Sequence, residues 1–287
     1  DDALAAGYKL EKLEKTGMTV VNGERMFDRF RGRVMFPIHN VAGKVIGFGG
    51  RILKSDAKAA KYLNSPESDI YHKSKVLYGL YQSRKAIVEK DVCYLVEGYT
   101  DVISMHQSGI TNVVASSGTA LTQDQIRLIR RYTKNITILY DGDTAGIKAS
   151  LRGIDLILEE GMNVRVVLFP DDDDPDSFSR KHTTTEIAAY IKENAKDFIR
   201  FKTSLLLKDV GNDPIGRAGL IREIVETIAL IPDAIIRSTY VRECSNLMQI
   251  GEDVLMSELT RIVRKKVFKD AANESQPQTP VDDIPLE

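Results

Sequence analysis

Acidic residues follow three segments that have the apolar, β-branched composition of buried strands. The segments and their acids are 92–96 with Glu97, 136–140 with Asp141 and Asp143, and 164–169 with the acidic run 171–176, which includes Asp174 and Asp176. Ligands of open α/β sheets bind beyond the carboxyl ends of the strands, so these side chains are expected to meet at one edge. Carboxylate oxygens gathered there favour Mg²⁺ and phosphate chemistry.

Each acidic turn also has a simpler interpretation. Glu97 could be only a solvated residue at a strand end, although Gly98 would let the backbone pass close to a ligand and Asp101 would lie in the first turn of a helix, where the helix dipole favours a negative charge. Asp143 could instead cap the next helix, and an acidic run such as 171–176 is often only a solvated loop. The convergence of three turns is what favours a metal site.

The small-residue turn 116–119 follows a further predicted strand. It could present backbone N–H groups to phosphate, although a plain turn is an equally good interpretation. The chain has no Gly-x-x-x-x-Gly-Lys-Ser/Thr loop, which excludes the P-loop ATPases.

Basic residues are concentrated before the acidic turns. Residues 25–90 contain fourteen Lys and Arg against five Asp and Glu, a net charge of +9, whereas residues 91–182 have a net charge of −5. Aromatic residues alternate with the basic ones, as expected of a groove for single-stranded nucleic acid. A solvated charged face over core aromatics is the alternative. Arg31 and Arg33 are predicted on one side of the same strand edge.

Periodicity indicates three kinds of region. Strands at 92–96, 111–115, 136–140 and 164–169 alternate with helices at about 101–108, 122–132 and 144–160, which predicts a parallel sheet. Residues 1–88 are predicted to form a basic α/β subdomain with two strands around the turn 40–43. Glycines 47, 49 and 50 predict a bulge or the close approach of another backbone. Residues 89–183 would form the metal-binding subdomain, 184–268 a helical bundle without a site, and 269–287 a disordered tail.

Composition sets wider limits. The two cysteines are far apart and outside any Cys-x-x-Cys motif, so neither a disulfide framework nor a zinc ribbon is expected. No apolar run approaches the length of a membrane span and no signal peptide is recognised, so a cytoplasmic protein is expected.

Several motifs together resemble a known family. Glu97-Gly-Tyr-Thr-Asp101, Asp141-Gly-Asp143 and Asp174-Pro-Asp176 are similar to the Toprim signature. The segments 28–38, 45–51, 61–67 and 72–80, which include Lys61-Tyr-Leu-Asn-Ser-Pro-Glu, resemble the RNA polymerase domain of bacterial replicative primases of the DnaG type. Toprim motifs occur also in topoisomerases and small nucleases, whereas the basic motifs are far more specific to primases.

The resemblance implies an α/β fold with a Toprim-type parallel sheet flanked by helices, a basic N-terminal subdomain and a C-terminal bundle. It implies the synthesis of short RNA primers from ribonucleoside triphosphates on single-stranded DNA, with two Mg²⁺ or Mn²⁺ ions and no zinc in this chain. The metal-site acids would be Glu97, Asp141, Asp143, Asp174 and Asp176, with Asp101 in support. The template and nucleotide phosphates would be held by Arg31, Arg33, Arg51, Lys61, Lys73 and Lys75.

Neither the zinc-binding nor the helicase-binding domain of the family is recognised in the sequence. Contacts with the replicative helicase and single-strand-binding protein are therefore expected from regions outside this chain. Two other functions stay open: a Toprim DNA-cleaving enzyme, such as a nuclease or topoisomerase, and a non-catalytic single-strand binder. Whether Glu97 binds a metal or accepts the hydroxyl proton is also open.

Overall fold

The computed structural model describes residues 2–23, 25–53, 60–142, 144–170, 173–210 and 213–274, with the backbone alone at 144–150, 208–210 and 269–274. The chain divides into two compact units, with the boundary between Phe198 and Ile199. They are called the first unit and the second unit below. In the part of the chain that the structure describes, no helix has the length and apolarity needed to cross a lipid bilayer.

The strands of the described residues all lie in the first unit. They are β1 (Thr19–Asn22), β2 (Arg25–Asp28), β3 (Arg33–His39), β4 (Val45–Ile52), β5 (Tyr62–Asn64), β6 (Cys93–Val96), β7 (Val113–Ala115), β8 (Asn135–Tyr140), β9 (Asn163–Leu168) and β10 (Lys196–Asp197). The helices of this unit are α1 (Asp2–Ala5), α2 (Leu10–Lys15), α3 (Leu80–Lys90), α4 (Tyr99–Gln107), α5 (Gln123–Arg130), α6 (Thr144–Glu159), α7 (Pro175–Lys181) and α8 (Thr184–Asn194), with a 3₁₀ turn at Lys73–Lys75.

The central sheet has the order β10-β9-β8-β6-β7. β7, β6, β8 and β9 pair in parallel, and only the short edge strand β10 is antiparallel. The apolar strand residues are buried, as in parallel sheets covered by helices. The predicted α/β fold with a parallel sheet is therefore confirmed, and the carboxyl ends of β6, β8 and β9 reach the same edge.

A second sheet in the first unit is antiparallel and has the order β3-β4-β5. The register of β3 with β4 shifts between Ile38 and His39, which is the irregularity that the glycines of β4 predicted. The close approach at these glycines comes from aromatic rings and not from another backbone. A Cβ atom at Gly49 would lie 2.4 Å from Cζ of Tyr99, and one at Gly50 would lie 2.6 Å from Cδ1 of Phe30.

Arg31 and Arg33 do not lie on one strand edge, so that prediction is wrong. Arg31 lies in the turn between β2 and β3, and Gly32 follows it with a φ of 70°. A left-handed residue does not continue an extended strand, so β3 begins only at Arg33.

The second unit is helical. Its helices are α9 (Phe198–Val210), α10 (Pro214–Ile228), α11 (Ala234–Met248) and α12 (Glu252–Glu274). The first residue of α9, Phe198, still belongs to the first unit. Aspartates cap two of them: Asp213 Oδ2 accepts from Gly216 N–H at 2.7 Å, and Asp233 Oδ1 accepts from Ile235 and Ile236 N–H at 2.8 and 2.9 Å.

Two boundaries of the structure differ in position from those drawn on the sequence. α8 begins at Thr184, but Ile187 and Ile191 lie in the core of the first unit because they pack with the residues under the central sheet. α12 continues past Phe268 to Glu274, since Lys, Ala and Glu are good helix formers, and the rest of the predicted tail lies outside the described residues. The division of the chain into four segments stays a prediction.

Candidate active site

Glu97 is exposed at the carboxyl end of β6, the strand between β8 and β7. The next residue, Gly98, is the N-cap of α4, and its N–H donates to Asp101 Oδ2 at 2.8 Å. A Cβ atom at Gly98 would lie 3.1 Å from that oxygen. Glycine therefore allows the carboxylate of Asp101 to fold back against the turn that carries Glu97.

Asp101 is buried, with 8% of its surface exposed. Burial raises the pKa of Asp101 to about 6, the hydrogen bond from Gly98 N–H opposes that rise, and the charges of Asp174, Asp176 and Glu97 raise the pKa further. The structure thus brings four of the predicted acids within electrostatic range of one another. A cation bound among them would offset their repulsion.

Asp174 and Asp176 lie at the start of α7. Asp174 is its N-cap, and Oδ1 accepts from Ser177 N–H at 2.6 Å. Asp176 accepts from Arg180 Nε and Nη2 at 2.8 and 2.9 Å. The Ser104 hydroxyl also donates to Asp176, and this bond connects α7 to α4.

The neighbouring Asp173 has a cationic partner of its own. Lys181 Nζ lies 2.6 Å from Asp173 Oδ1, and the Ser177 hydroxyl donates to the same oxygen at 2.7 Å. These hydrogen bonds, that of Lys181 first, hold the pKa of Asp173 below its usual range. Part of the acidic run is therefore neutralised within α7 itself.

Asp141 lies half-buried in the turn after β8. The N–H of Gly142 in this turn donates to Asp173 O at 3.1 Å, which joins it to the loop after β9. Asp143, Asp171 and Asp172 lie outside the described residues. Among the residues that are described, no three Asp, Glu, His or Cys side chains are close enough to hold one metal ion in common.

The predicted phosphate-binding cations are placed on the three-stranded sheet and its loops. Arg33 Nη1 donates to the carbonyl oxygens of Gly50, Ala60 and Lys61 at 3.1, 2.9 and 3.4 Å, so Arg33 holds the backbone together. Arg51 lies over the ring of Tyr62, 5.8 Å from its centroid. Arg31, Lys61 and Lys75 are exposed, and Lys73 is half-buried. Their role in binding stays a prediction.

Two side-chain amides that the sequence analysis did not single out, one half-buried and one buried, connect these segments to the central sheet. Asn64, at the end of β5, accepts from the Tyr99 hydroxyl at 2.8 Å and donates to Ser117 O at 3.1 Å. Burial raises the pKa of Tyr99, so its hydroxyl stays a donor. Ser117 N–H donates to Glu97 O at 3.1 Å, so this amide of the turn 116–119 is already used within the fold.

Gln125 is the second such amide and has no exposed surface. Its Nε2 donates to Lys73 O at 3.1 Å and to Val76 O at 2.8 Å, which fixes the 3₁₀ turn of Lys73–Lys75. Its Oε1 accepts from Thr122 N–H as part of a capping box. The Thr-x-x-Gln spacing was a signal for the capping role, whereas no local pattern pointed to Asn64.

Three family models match consecutive parts of the chain. A model described as the N-terminal domain of the DNA primase catalytic core matches residues 2–84, and a Toprim-like model matches residues 94–179. The DnaB-helicase binding domain of primase matches residues 199–253.

Relatives and solved structures agree with these models. The DNA primase of Clostridium acetobutylicum is 40% identical over 260 residues, which cover 90% of this chain and 43% of the relative. The DNA primase of Halalkalibacterium halodurans is 38% identical over 274 residues, which cover 94% of this chain and 45% of the relative. A DNA primase domain from Pseudomonas aeruginosa superposes with a TM-score of 0.81 at 32% identity, covering 92% of this chain and 84% of that one. The chain belongs to the DnaG family of DNA primases.

The chain also superposes on a DnaG primase catalytic domain bound to single-stranded DNA, with a TM-score of 0.76 at 39% identity. The match covers 86% of this chain and 81% of that catalytic domain. The chain spans less than half the length of the curated DnaG relatives named above. The match at residues 199–253 overturns the expectation that the helicase-binding domain of the family is not found in this chain. Helical periodicity reveals the helices of such a domain, but it contains no information about the partner of their exposed faces.

Proposed function

We propose that this chain is the catalytic core of a primase, which synthesises short RNA primers from ribonucleoside triphosphates on single-stranded DNA. The observation that carries the proposal is that Glu97, Asp174 and Asp176, at the carboxyl edge of a parallel sheet, lie close enough to the buried Asp101 for their charges to raise its pKa further. Membership of the DnaG family supports the reaction type.

The acids fit divalent cations by their chemistry. Mg²⁺ takes oxygen ligands and commonly uses only one or two carboxylates, with water and substrate phosphates completing its shell. Glu97, Asp141, Asp174 and Asp176 would hold Mg²⁺ or Mn²⁺, together with Asp143, and Asp101 would support the turn of Glu97. Bound cations would supply charge neutralisation for the attacking and leaving oxygens.

The chain's own groups would position both substrates. The exposed side chains of Arg31, Lys61 and Lys75 can follow a phosphate backbone without a fixed geometry. Lys73 lies on a turn that Gln125 fixes, which suits the phosphates of an incoming nucleotide. Arg33 would act indirectly, because its guanidinium holds the backbone around Lys61.

The test is divalent-dependent incorporation of labelled ribonucleotides on a single-stranded oligonucleotide. Asp141→Ala is expected to lower the rate at least about 100-fold, because charge stabilisation in the transition state is a large term in catalysis. Asp91→Ala is the matched control. Asp91 accepts from Thr133 and Asn135 before the start of β6, so its loss is expected to cost stability but not the reaction. Undiminished synthesis by Asp141→Ala would refute the site assignment.

The same assay separates primer synthesis from the other two functions. Nicking of labelled DNA with Mg²⁺ and no incorporation would favour a Toprim nuclease. Salt-sensitive template binding with neither activity would favour a non-catalytic binder.

We also propose that the second unit binds the replicative helicase. The family model at residues 199–253 supports this, and so do two exposed apolar side chains: Ile215 in α10 and Ile235 in α11 are 83% and 79% exposed. A contact with single-strand-binding protein stays a prediction.

Binding of the purified helicase can be measured with Ile235→Ser. The variant is expected to bind about fivefold more weakly or worse, as for an apolar anchor of an interface, with unchanged nucleotide incorporation. Ile70→Ser is the matched control, since Ile70 is 60% exposed but lies in the first unit. Equal effects of the two substitutions would argue against a helicase site on the second unit.

A further inference from the structure

The side-chain amide of Asn64 lies between two loops that flank Glu97. Its partners settle its orientation: Ser117 O can only accept, so Nδ2 faces it at 3.1 Å, and Oδ1 is left for the Tyr99 hydroxyl at 2.8 Å. Ser117 N–H continues the connection to Glu97 O at 3.1 Å. Tyr99 is two residues after Glu97 in the sequence. Asn64 is therefore connected indirectly to the backbone of Glu97 in two ways, through Tyr99 and through Ser117.

The Tyr99 side of this connection is rigid. Tyr99 is only 2% exposed, stacks on Phe36 at a centroid distance of 5.0 Å and meets Tyr78 edge-on at 4.7 Å. Gly49 of β4 leaves room for the ring. A side chain packed on so many sides transmits a change at its hydroxyl to its own backbone, which continues into Glu97.

The Ser117 side needs support from its neighbours. Ser117 has a φ of 55°, in the left-handed region that is unfavourable for residues other than glycine. Its N–H is bound by Glu97 O and its carbonyl oxygen by Asn64. Removal of the Asn64 bond would free one side of a strained residue whose other side is bonded to Glu97.

We infer that Asn64 is a positioning residue for Glu97, which couples the three-stranded basic sheet to the carboxylate turn of the central sheet. The inference rests on the proposed function, in which Glu97 holds a divalent cation. Asparagine suits the position because it offers one donor for a carbonyl and one acceptor for a phenol. An aspartate would keep the acceptor for Tyr99 and lose the donor for Ser117.

The experiment compares Asn64→Ala and Asn64→Asp with Asn112→Ala in the full chain. Asn112 is a matched control, since it is fully buried and donates to Val92 O at 2.9 Å before the start of β6, at the opposite edge of the sheet. Three quantities are measured: Mn²⁺ affinity by calorimetry, amide exchange of the peptide that contains Ser117, and the Mg²⁺ concentration that gives half-maximal incorporation.

Both Asn64 variants are expected to weaken Mn²⁺ binding about tenfold, as for other residues that orient metal ligands, and to raise the Mg²⁺ requirement similarly. They should also speed exchange at Ser117. Asn112→Ala should change none of these, even if its melting temperature falls as far. Equal shifts for Asn112→Ala and Asn64→Ala, or unchanged values for Asn64→Ala, would overturn the inference.

Two additions keep the test decisive. If Asn64→Ala does not fold, Tyr99→Phe removes the same hydroxyl bond and keeps the ring stack, and it is expected to weaken Mn²⁺ binding in the same direction. If the parent chain incorporates no nucleotide, the proposed function fails. The Mn²⁺ and exchange measurements then still decide whether Asn64 positions Glu97.

Discussion

Both units of this chain contain paired carboxylates, but the first unit also has a carboxylate that is buried among other acids. In the first unit, Asp101 is buried in the first turn of α4, and burial together with the charges of Asp174 and Glu97 raises its pKa. In the second unit, carboxylates pair with arginines on helix surfaces, as in Glu243 with Arg200 at 2.8 Å and Glu258 with Arg261 at 2.6 Å. Exposed pairs are worth little, whereas adjacent like charges cost free energy. Adjacent carboxylates that destabilise the fold are therefore expected where they bind a cation.

The largest expected effect is on catalysis. Glu97→Gln removes a charge and keeps the side-chain volume, and it should lower primer synthesis at least about 100-fold without weakening template binding. Glu243→Gln makes the same change in the second unit and should leave the rate within about twofold. Incorporation assays on both variants check this. A Glu97→Gln rate above a tenth of the parental one would place the chemistry elsewhere.

The next effect is a pH dependence of stability that arises at Asp101 in the first unit. The pKa of Asp101 is raised to about 6 in the folded state, so its contribution is present at low pH and is lost as pH rises through about 4 to 6. Asp101→Asn keeps an acceptor for Gly98 and removes the charge. In metal-free buffer it should be more stable than the parent at pH 7 by roughly 2–3 kcal/mol. Urea denaturation at several pH values measures the difference, and a pH-independent difference would contradict it.

A smaller effect concerns glycine in the first unit. Gly49→Ala would place a Cβ atom 2.4 Å from Cζ of the buried Tyr99, so β4 must move away from α4. Overpacking of this kind costs about 1–3 kcal/mol. The urea midpoint should fall, and an unchanged midpoint would mean that the ring can move aside.

The smallest effect has the opposite sign and lies in the second unit. Gly219 is inside α10, and a Cβ atom there would meet nothing within 4 Å. Gly219→Ala should therefore raise the free energy of unfolding by about 0.5–1 kcal/mol through helix propensity. A thermal melt followed by circular dichroism tests this, and destabilisation would indicate a neighbour at this position.

Much of the first unit could be predicted because its signals are local. Buried strands and amphipathic helices have their own periods, so the alternation after residue 92 predicted the parallel sheet that is observed. Acids directly after such strands must lie at the carboxyl edge, which located Glu97 and Asp141. The third strand of the basic sheet, β5, is only three residues long and has no such pattern.

The partners of the charged groups could not be predicted in the same way. Arg33 has the residue type of a phosphate ligand, yet its guanidinium binds three carbonyl oxygens. Asp176 is bonded to Arg180 one helical turn later and to Ser104 from α4. Residue type indicates what a side chain can bind, but distance in space selects among its possible partners.

The order of residues alone determined the types of the main elements and the edge of the sheet at which the acids lie, because backbone geometry and hydrophobic period act within a few residues. Only the tertiary structure decided that Asn64 connects Tyr99 to Ser117 and that Asp101 is buried beside three other carboxylates. Those contacts join residues far apart in the chain. Their free energies depend on burial and on exact partners, which exist only once the chain has folded.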